Sequence, residues 1–305
     1  MTGIVKGRSR PHVVISAALV IAAVYLPACG SPDVQTAPEA LISTPELAET
    51  TAPPIQPPKP QTPQPGRYDL TPFAAHPMKA HDYSRVLHPL IGAAQSKHLP
   101  GWDYAFENLI PQPDGSMIAR ITGTTMAGLK WEQEIAAKRT EANYKVEATL
   151  PEIHPGTIIA PLWLFSEGAD DPGEDAHEWD FEFMHDRLEL NLHNGNGGFL
   201  LDSVDRDFSG HRVLLEIDRR TDIVTMRLTD LTDGFTFQRS FTPNSLAAMA
   251  ETRTAPRDLR FPAAPMFPMM EFWISNAEDW AGRAEVPAPG ETRDMILHGY
   301  SITPY

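Results

Sequence analysis

One stretch constrains this chain more than any other: Glu178-Trp179-Asp180-Phe181-Glu182-Phe183, acids and aromatics in alternation. Successive side chains of a β-strand point to opposite faces. On a strand, Glu178, Asp180 and Glu182 share one face, while Trp179, Phe181 and Phe183 share the other. The aromatic face can bury itself in a core. The acidic face carries three carboxylates and no compensating cation. Its first and last members stand ~13 Å apart at Cα, and their side chains lean together on a concave sheet but splay on a flat or convex one.

These residues admit two readings. One is a solvated acidic strand face, although like charges on one face repel and such faces usually mix signs. The other is a working pair. Two glutamates leaning toward each other reach roughly the 5–5.5 Å separation of a retaining glycosidase. The shorter Asp180 fits between them, close enough to hydrogen-bond one.

The 305 residues, 42% of them hydrophobic and 9% aromatic, suffice for one sizeable domain with a core and appendages. A formal charge of -15 argues against nucleic acid and against a basic patch on anionic membrane. It weakly disfavours strongly anionic polymers as substrate, though solubility explains most of the acidity.

The single cysteine, Cys29, excludes an intramolecular disulfide and a zinc-type cysteine cluster. Lys6, Arg8 and Arg10 form a basic start, and Val13 to Tyr25 an apolar run of signal-peptide length. Leu26-Pro27-Ala28-Cys29 follows at once and resembles a bacterial lipoprotein signal, which implies that Cys29 is lipidated. An ordinary signal peptide cleaved nearby is the alternative. Gly30 is not the aspartate of inner-membrane retention, so the resemblance implies the outer membrane of a Gram-negative cell, with periplasmic or secreted placement as alternatives. The expected organisation is a signal peptide over 1–28, a proline-rich tether over 29–70 and a β-domain over 71–305. Pro53-Pro54, Pro57-Pro58, Pro60, Pro63 and Pro65 make the tether extended rather than core-forming.

Beyond the tether the pattern is short strands between turn signals. Strands are expected over 116–122, 144–150, 158–165, 187–193, 213–217, 223–228, 235–237 and 295–305, and a short helix over 244–252. Many strands and almost no helix point to an all-β sandwich.

At the acidic strand the chain resembles glycoside hydrolase family 16, the laminarinase, lichenase, agarase and carrageenase group, whose signature is E-x-D-x-E. Tyr144-Lys145-Val146-Glu147-Ala148, Gly156 to Phe165, and Asn191-Leu192-His193-Asn194-Gly195 resemble its flanking strands. Met270-Glu271-Phe272-Trp273, Asp279-Trp280-Ala281-Gly282 and Tyr300-Ser301-Ile302 resemble its closing elements. The resemblance covers roughly residues 100 to 305. It departs at Trp179, where a small aliphatic residue is usual, and at Glu271, where asparagine is common. It implies a concanavalin A-like jelly roll with a concave substrate sheet, and a retaining endo-hydrolase of β-linked glucan or galactan. Glu178 is then the nucleophile, Glu182 the acid and later the base, and Asp180 the group that tunes Glu178. A transglycosylase, or a non-catalytic carbohydrate-binding module, are the alternatives on the same fold.

Trp273 and Trp280 are candidates to stack on sugar rings, with core as their alternative. Asn191 and His193 lie on the polar face of the next strand and are candidate substrate contacts; a structural role for the histidine stands beside this. Trp163, inside an apolar run, is expected in the core, and His177 and His185 fall in the wrong phase for the cleft. The acids of the 167–177 loop lack the ordered spacing of a calcium loop. No cofactor and no metal are expected, and the partners are a polysaccharide and, through Cys29, a membrane, with the chain a monomer.

Overall fold

The computed structural model describes residues 69–73, 87–89, 92–93, 97–131, 139–166, 177–194, 197–251 and 260–305. The signal and Cys29, nearly all of the tether and the acidic loop before His177 lie outside them. The described strands are β1 (Thr71–Pro72), β2 (Leu87–Pro89), β3 (Gly92–Ala93), β4 (Asp103–Tyr104), β5 (Leu109–Pro111), β6 (Met117–Ile121), β7 (Thr125–Trp131), β8 (Ala142–Thr149) and β9 (Thr157–Ser166). They continue as β10 (His177–Phe183), β11 (Arg187–Asn194), β12 (Gly197–Asp205), β13 (Arg212–Arg219), β14 (Val224–Asp230), β15 (Thr236–Phe241), β16 (Phe267–Ile274) and β17 (Arg293–Pro304). Two short helices, α1 (Pro243–Glu251) and α2 (Glu278–Ala281), complete the set.

The strands form two sheets, as the all-β expectation requires. The first runs β15-β14-β13-β8-β17-β6-β5, with β1 also on β17; the second runs β12-β11-β10-β9-β16-β7-β4-β3, with β2 also on β7. Their inner faces enclose one apolar core. Trp179, Phe181 and Phe183 of β10 are fully buried in it, beside Leu188, Leu190 and Leu192 of β11 and opposite Val213, Leu215 and Ile217 of β13. Each such side chain contributes ~1.5–3 kcal/mol on burial. The large Trp179 ring is housed against Phe241 and Phe261, with ring centroids 5.8 and 5.9 Å away.

Three register shifts gather in the second sheet, between Asp180 and Phe183 on β10, between Leu190 and Asn191 on β11, and between Met269 and Glu271 on β16. Bulges bend a strand and re-aim its side chains. Here they surround the acidic face.

The expected strands all correspond to described ones; the short β1 to β5 and the longer β7, β12 and β16 have no counterpart among them. Every residue of β16 is buried, so it shows no alternation. It also carries Pro268, which cannot donate to a ladder; pairing with β7 starts only at Met269.

Candidate active site

The pleat places Glu178, Asp180 and Glu182 on the outer face of the second sheet, since Trp179, Phe181 and Phe183 fill the core. On β11, His193 stands opposite Glu178, Asn191 opposite Asp180 and Glu189 opposite Glu182. On β9, Phe165 and Trp163 stand opposite Glu178 and Asp180. Asp180 and Glu182 are buried and Glu178 is partly exposed.

Glu182 and Glu189 are tied together by Asn191, whose Nδ2 donates to Glu182 Oε2 and, at 3.1 Å, to Glu189 Oε2. Trp280 Nε1 donates to the same Glu189 oxygen at 3.0 Å, and Arg187 Nε to the other at 2.7 Å. Arg187 also donates to the Trp280 carbonyl at 2.7 Å. Glu189 is thus a charge-paired post that orients Asn191 and through it Glu182. His193 Nε2 lies 3.4 Å from Asp180 Oδ2.

Electrostatics separate these groups from ordinary carboxylates. Burial pushes Glu178 up to about 7, opposed by Lys97. Burial pushes Glu182 up to about 7 as well, opposed by the Asn191 hydrogen bond. Asp180 is held well above the carboxylate range by burial and then by Glu178 and Glu182 on either side. Burial lowers His193 to about 4, so its imidazole is neutral near pH 7.

A fourth carboxyl joins them. Glu271 of β16 stands opposite Ala160 on β9 and is buried on the same face. Burial, then the charge of Glu178, pushes it up to about 8, while a hydrogen bond with the Tyr104 hydroxyl opposes the rise. Tyr104 sits 3.5 Å from His98 Nε2. His98 packs against Trp273 at 4.3 Å between centroids, and Trp273 against Trp280 at 6.2 Å. Lys97 Nζ caps the Trp280 ring at 5.3 Å from its centroid. Its own backbone is fixed to the end of β16, where the Lys97 carbonyl accepts from Asn276 N–H at 2.9 Å.

The structure therefore brings Glu178, Asp180, Glu182, Asn191, His193 and Trp280 into one site. Trp273 takes the core alternative: it is 5% exposed, belongs to the main apolar cluster and is enclosed by its aromatic neighbours. Trp163 departs from the core expectation. It belongs to a separate apolar cluster with Ala160, Phe267 and Met269, level with Asp180 on the outer face. His177 takes the opposite phase and is buried, as expected. Sequence reasoning missed Tyr104, His98 and Lys97, which precede the acidic strand by more than seventy residues and carry no motif.

No protein-family model matches the chain, and no curated protein does. Solved structures do. The chain is similar to a β-glucanase of Bacillus licheniformis, with a TM-score of 0.55 and 15% identity over 79% of this chain and 100% of that one. The likeness shows the fold, a two-sheet jelly roll. The catalytic domain of an endo-1,3-β-glucanase (laminarinase) of Thermotoga petrophila matches with a TM-score of 0.51 and 16% identity, over 71% of this chain and 90% of that one. A family-16 protein of Bacteroides ovatus, solved with an oligosaccharide product, matches with a TM-score of 0.51 and 12% identity, over 71% and 94%.

Proposed function

We propose that this protein is a retaining endo-glycoside hydrolase acting on a β-linked glucan or galactan. The observation that carries the reading is the Glu178-Asp180-Glu182 face. Three carboxyl groups share one strand face, none has a lysine or arginine ion pair among the described residues, and a neighbouring side chain is posed on Glu182. The glucanase names of the structural neighbours support it.

In this reading Glu178, ionised, attacks the anomeric carbon while Glu182 gives its proton to the leaving glycosidic oxygen, so the C–O bond breaks as the glycosyl ester forms. Glu182, now ionised, takes a proton from water, whose oxygen displaces Glu178 and restores both groups. Crowding supports the division of labour. Burial raises both glutamates to about 7, so near neutral pH one of them can carry the proton while the other is ionised, which is the state the first step requires. Asp180 adjusts Glu178 from between. In this reading the partly exposed Trp280 is the aromatic side chain offered to a sugar, Trp273 packs behind it, and Asn191 and His193 meet sugar hydroxyls.

The same proposal places the domain on a lipid anchor at Cys29, in the outer membrane, held away by the tether over 29–70. Purified protein incubated with a panel of β-glucans and galactans, with proton NMR of the first products, tests the reading. A β-anomer appearing first is expected, and an α-anomer first overturns the retaining assignment.

A further inference from the structure

Glu178, Asp180 and His193 each offer one ligating atom, and these atoms lie within 4.8 Å of one another. The residues come from two paired strands, with His193 directly opposite Glu178. His193 Nε2 and Asp180 Oδ2 are 3.4 Å apart. That is about the edge of a tetrahedron whose centre-to-corner bonds are the ~2.0–2.2 Å of zinc to imidazole nitrogen and carboxylate oxygen. The two atoms face each other without the alignment of a hydrogen bond. Asp180 Oδ2 is buried and has no hydrogen-bond partner among the described residues, on a residue only 4% exposed. Such an oxygen is costly to leave unsatisfied, and a shared cation satisfies it.

The imidazole is also seated from behind. Gly198 of β12 stands opposite His193. A Cβ on it would come 2.6 Å from His193 Cε1 and 2.9 Å from Nδ1. The ring therefore rests on bare backbone, and any side chain at 198 displaces it.

We propose that Glu178, Asp180 and His193 form a binding site for a first-row transition-metal dication such as zinc, with a fourth position open to the cleft. One imidazole nitrogen and two carboxylate oxygens suit zinc or copper; calcium and magnesium take all-oxygen shells. An ion held there engages Glu178 and so stops its attack on a sugar. That consequence rests on the glycosidase reading, whereas the binding itself does not. A second cluster, His211, Asp230 and Asp233, differs because Arg206 already donates to both aspartates.

Titration calorimetry of the purified full-length chain with zinc chloride, at pH 7 in a non-chelating buffer, tests the site. Wild type and the control His211→Gln should show the same zinc-binding event. His193→Gln and Asp180→Asn should raise its Kd tenfold or more. Gly198→Ala, with all three ligands intact and the ring displaced, should raise it by a smaller factor. Circular dichroism checks that each variant folds, and if Asp180→Asn does not, His193→Gln decides. Unchanged affinity in His193→Gln, or loss confined to His211→Gln, overturns the proposal. Turnover of a β-glucan separates the two ideas. Zinc that stops wild-type hydrolysis and is reversed by EDTA supports both. Zinc bound through His193 with hydrolysis intact keeps the site and overturns the role of Glu178. Absence of hydrolysis before any zinc is added overturns the glycosidase reading and leaves the calorimetry to decide the site.

Discussion

The two sheets are built alike, yet their outer faces treat charge in opposite ways. On the first sheet, acids are answered by guanidinium groups from adjacent strands. Arg212 of β13 pairs with Glu147 of β8, Arg227 of β14 with Glu216 of β13 at 2.8 Å, and Arg120 of β6 with Asp294 of β17 through two 2.7 Å hydrogen bonds. On the second sheet, Glu178, Asp180, Glu182 and Glu271 share a face with no such partner among the described residues, and burial pushes all four upward. A face that needs only to be wet is balanced pair by pair. A face left unbalanced keeps protons on carboxyl groups at neutral pH, a costly state that chemistry can use.

The largest expected effect is on the unbalanced face. Glu178→Ala should remove hydrolysis, with no recovery of a retained product by any added nucleophile. Glu182→Ala should lose ~10²–10⁴-fold in kcat on polysaccharide. It should keep activity on substrates with a good leaving group, and azide should accelerate it by attacking the glycosyl ester. Identical behaviour of the two variants would show the roles to be misassigned.

Next comes Asn191→Ala. Its amide hydrogen bond to Glu182 opposes the upward shift of that group, and hydrogen bonds to charged groups are worth ~1.5–3 kcal/mol. Removing it should lower kcat by ~10–100-fold. It should also move the alkaline limb of the rate profile to higher pH, because Glu182 then holds its proton longer. A limb that moves down or stays in place would dismiss Asn191 as a positioning residue.

The contrast between the faces was largely legible in the sequence where alternation is strict. In β10 and β11 each residue's neighbours define its phase, so the acids, Asn191 and His193 could be placed before any coordinates. Trp163 could not, because a continuous apolar run carries no phase and a bulge shifts the register between β9 and β16. Glu271 showed only as an acid in an unexpected place; its burial among the other carboxyl groups depends on β16 lying one strand from β10, across β9. Tyr104 and His98 reach the site through pairings that no local pattern announces, a parallel contact of β4 with β7 and an isolated bridge from His98 to Ser275.

A smaller effect, on stability, sharpens the comparison. A carboxyl whose folded pKa is raised contributes stability that is fully present below its unfolded value, and this is lost as pH rises through the folded value. For Glu271 that window runs from the ordinary glutamate range to about 8. For Glu178 it ends at about 7. Glu178→Gln and Glu271→Gln each remove one ionisable member and keep the shape. Both should melt a few degrees higher than wild type at pH 7, with the gain shrinking toward pH 4 where the native carboxyl groups are protonated anyway. Each unit of raised pKa corresponds to ~1.4 kcal/mol. Melting curves at the two pH values check this, and a variant melting lower at pH 7 would contradict the crowded-acid account.

The smallest effect belongs to the balanced face, and its smallness is the point. Arg120 and Asp294 are direct partners across β6 and β17 and remain about a third exposed. Water screens such a pair, so its net worth is ~0.2–1 kcal/mol even with two good hydrogen bonds. Arg120→Met should therefore lower the melting temperature by about 1–3 °C, less in 1 M salt, where the wild-type pair is already weakened. Its melting temperature should follow that of wild type between pH 5 and pH 8, since the hydrogen bond to Asp294 raises the Arg120 guanidinium further above its already high value and it stays charged there. The unbalanced face predicts the reverse on each axis, a gain on neutralisation, a strong dependence on pH and little on salt. If Arg120→Met changes stability with pH as Glu178→Gln does, the two faces do not differ in kind, and the acids of β10 lose their claim to be more than surface.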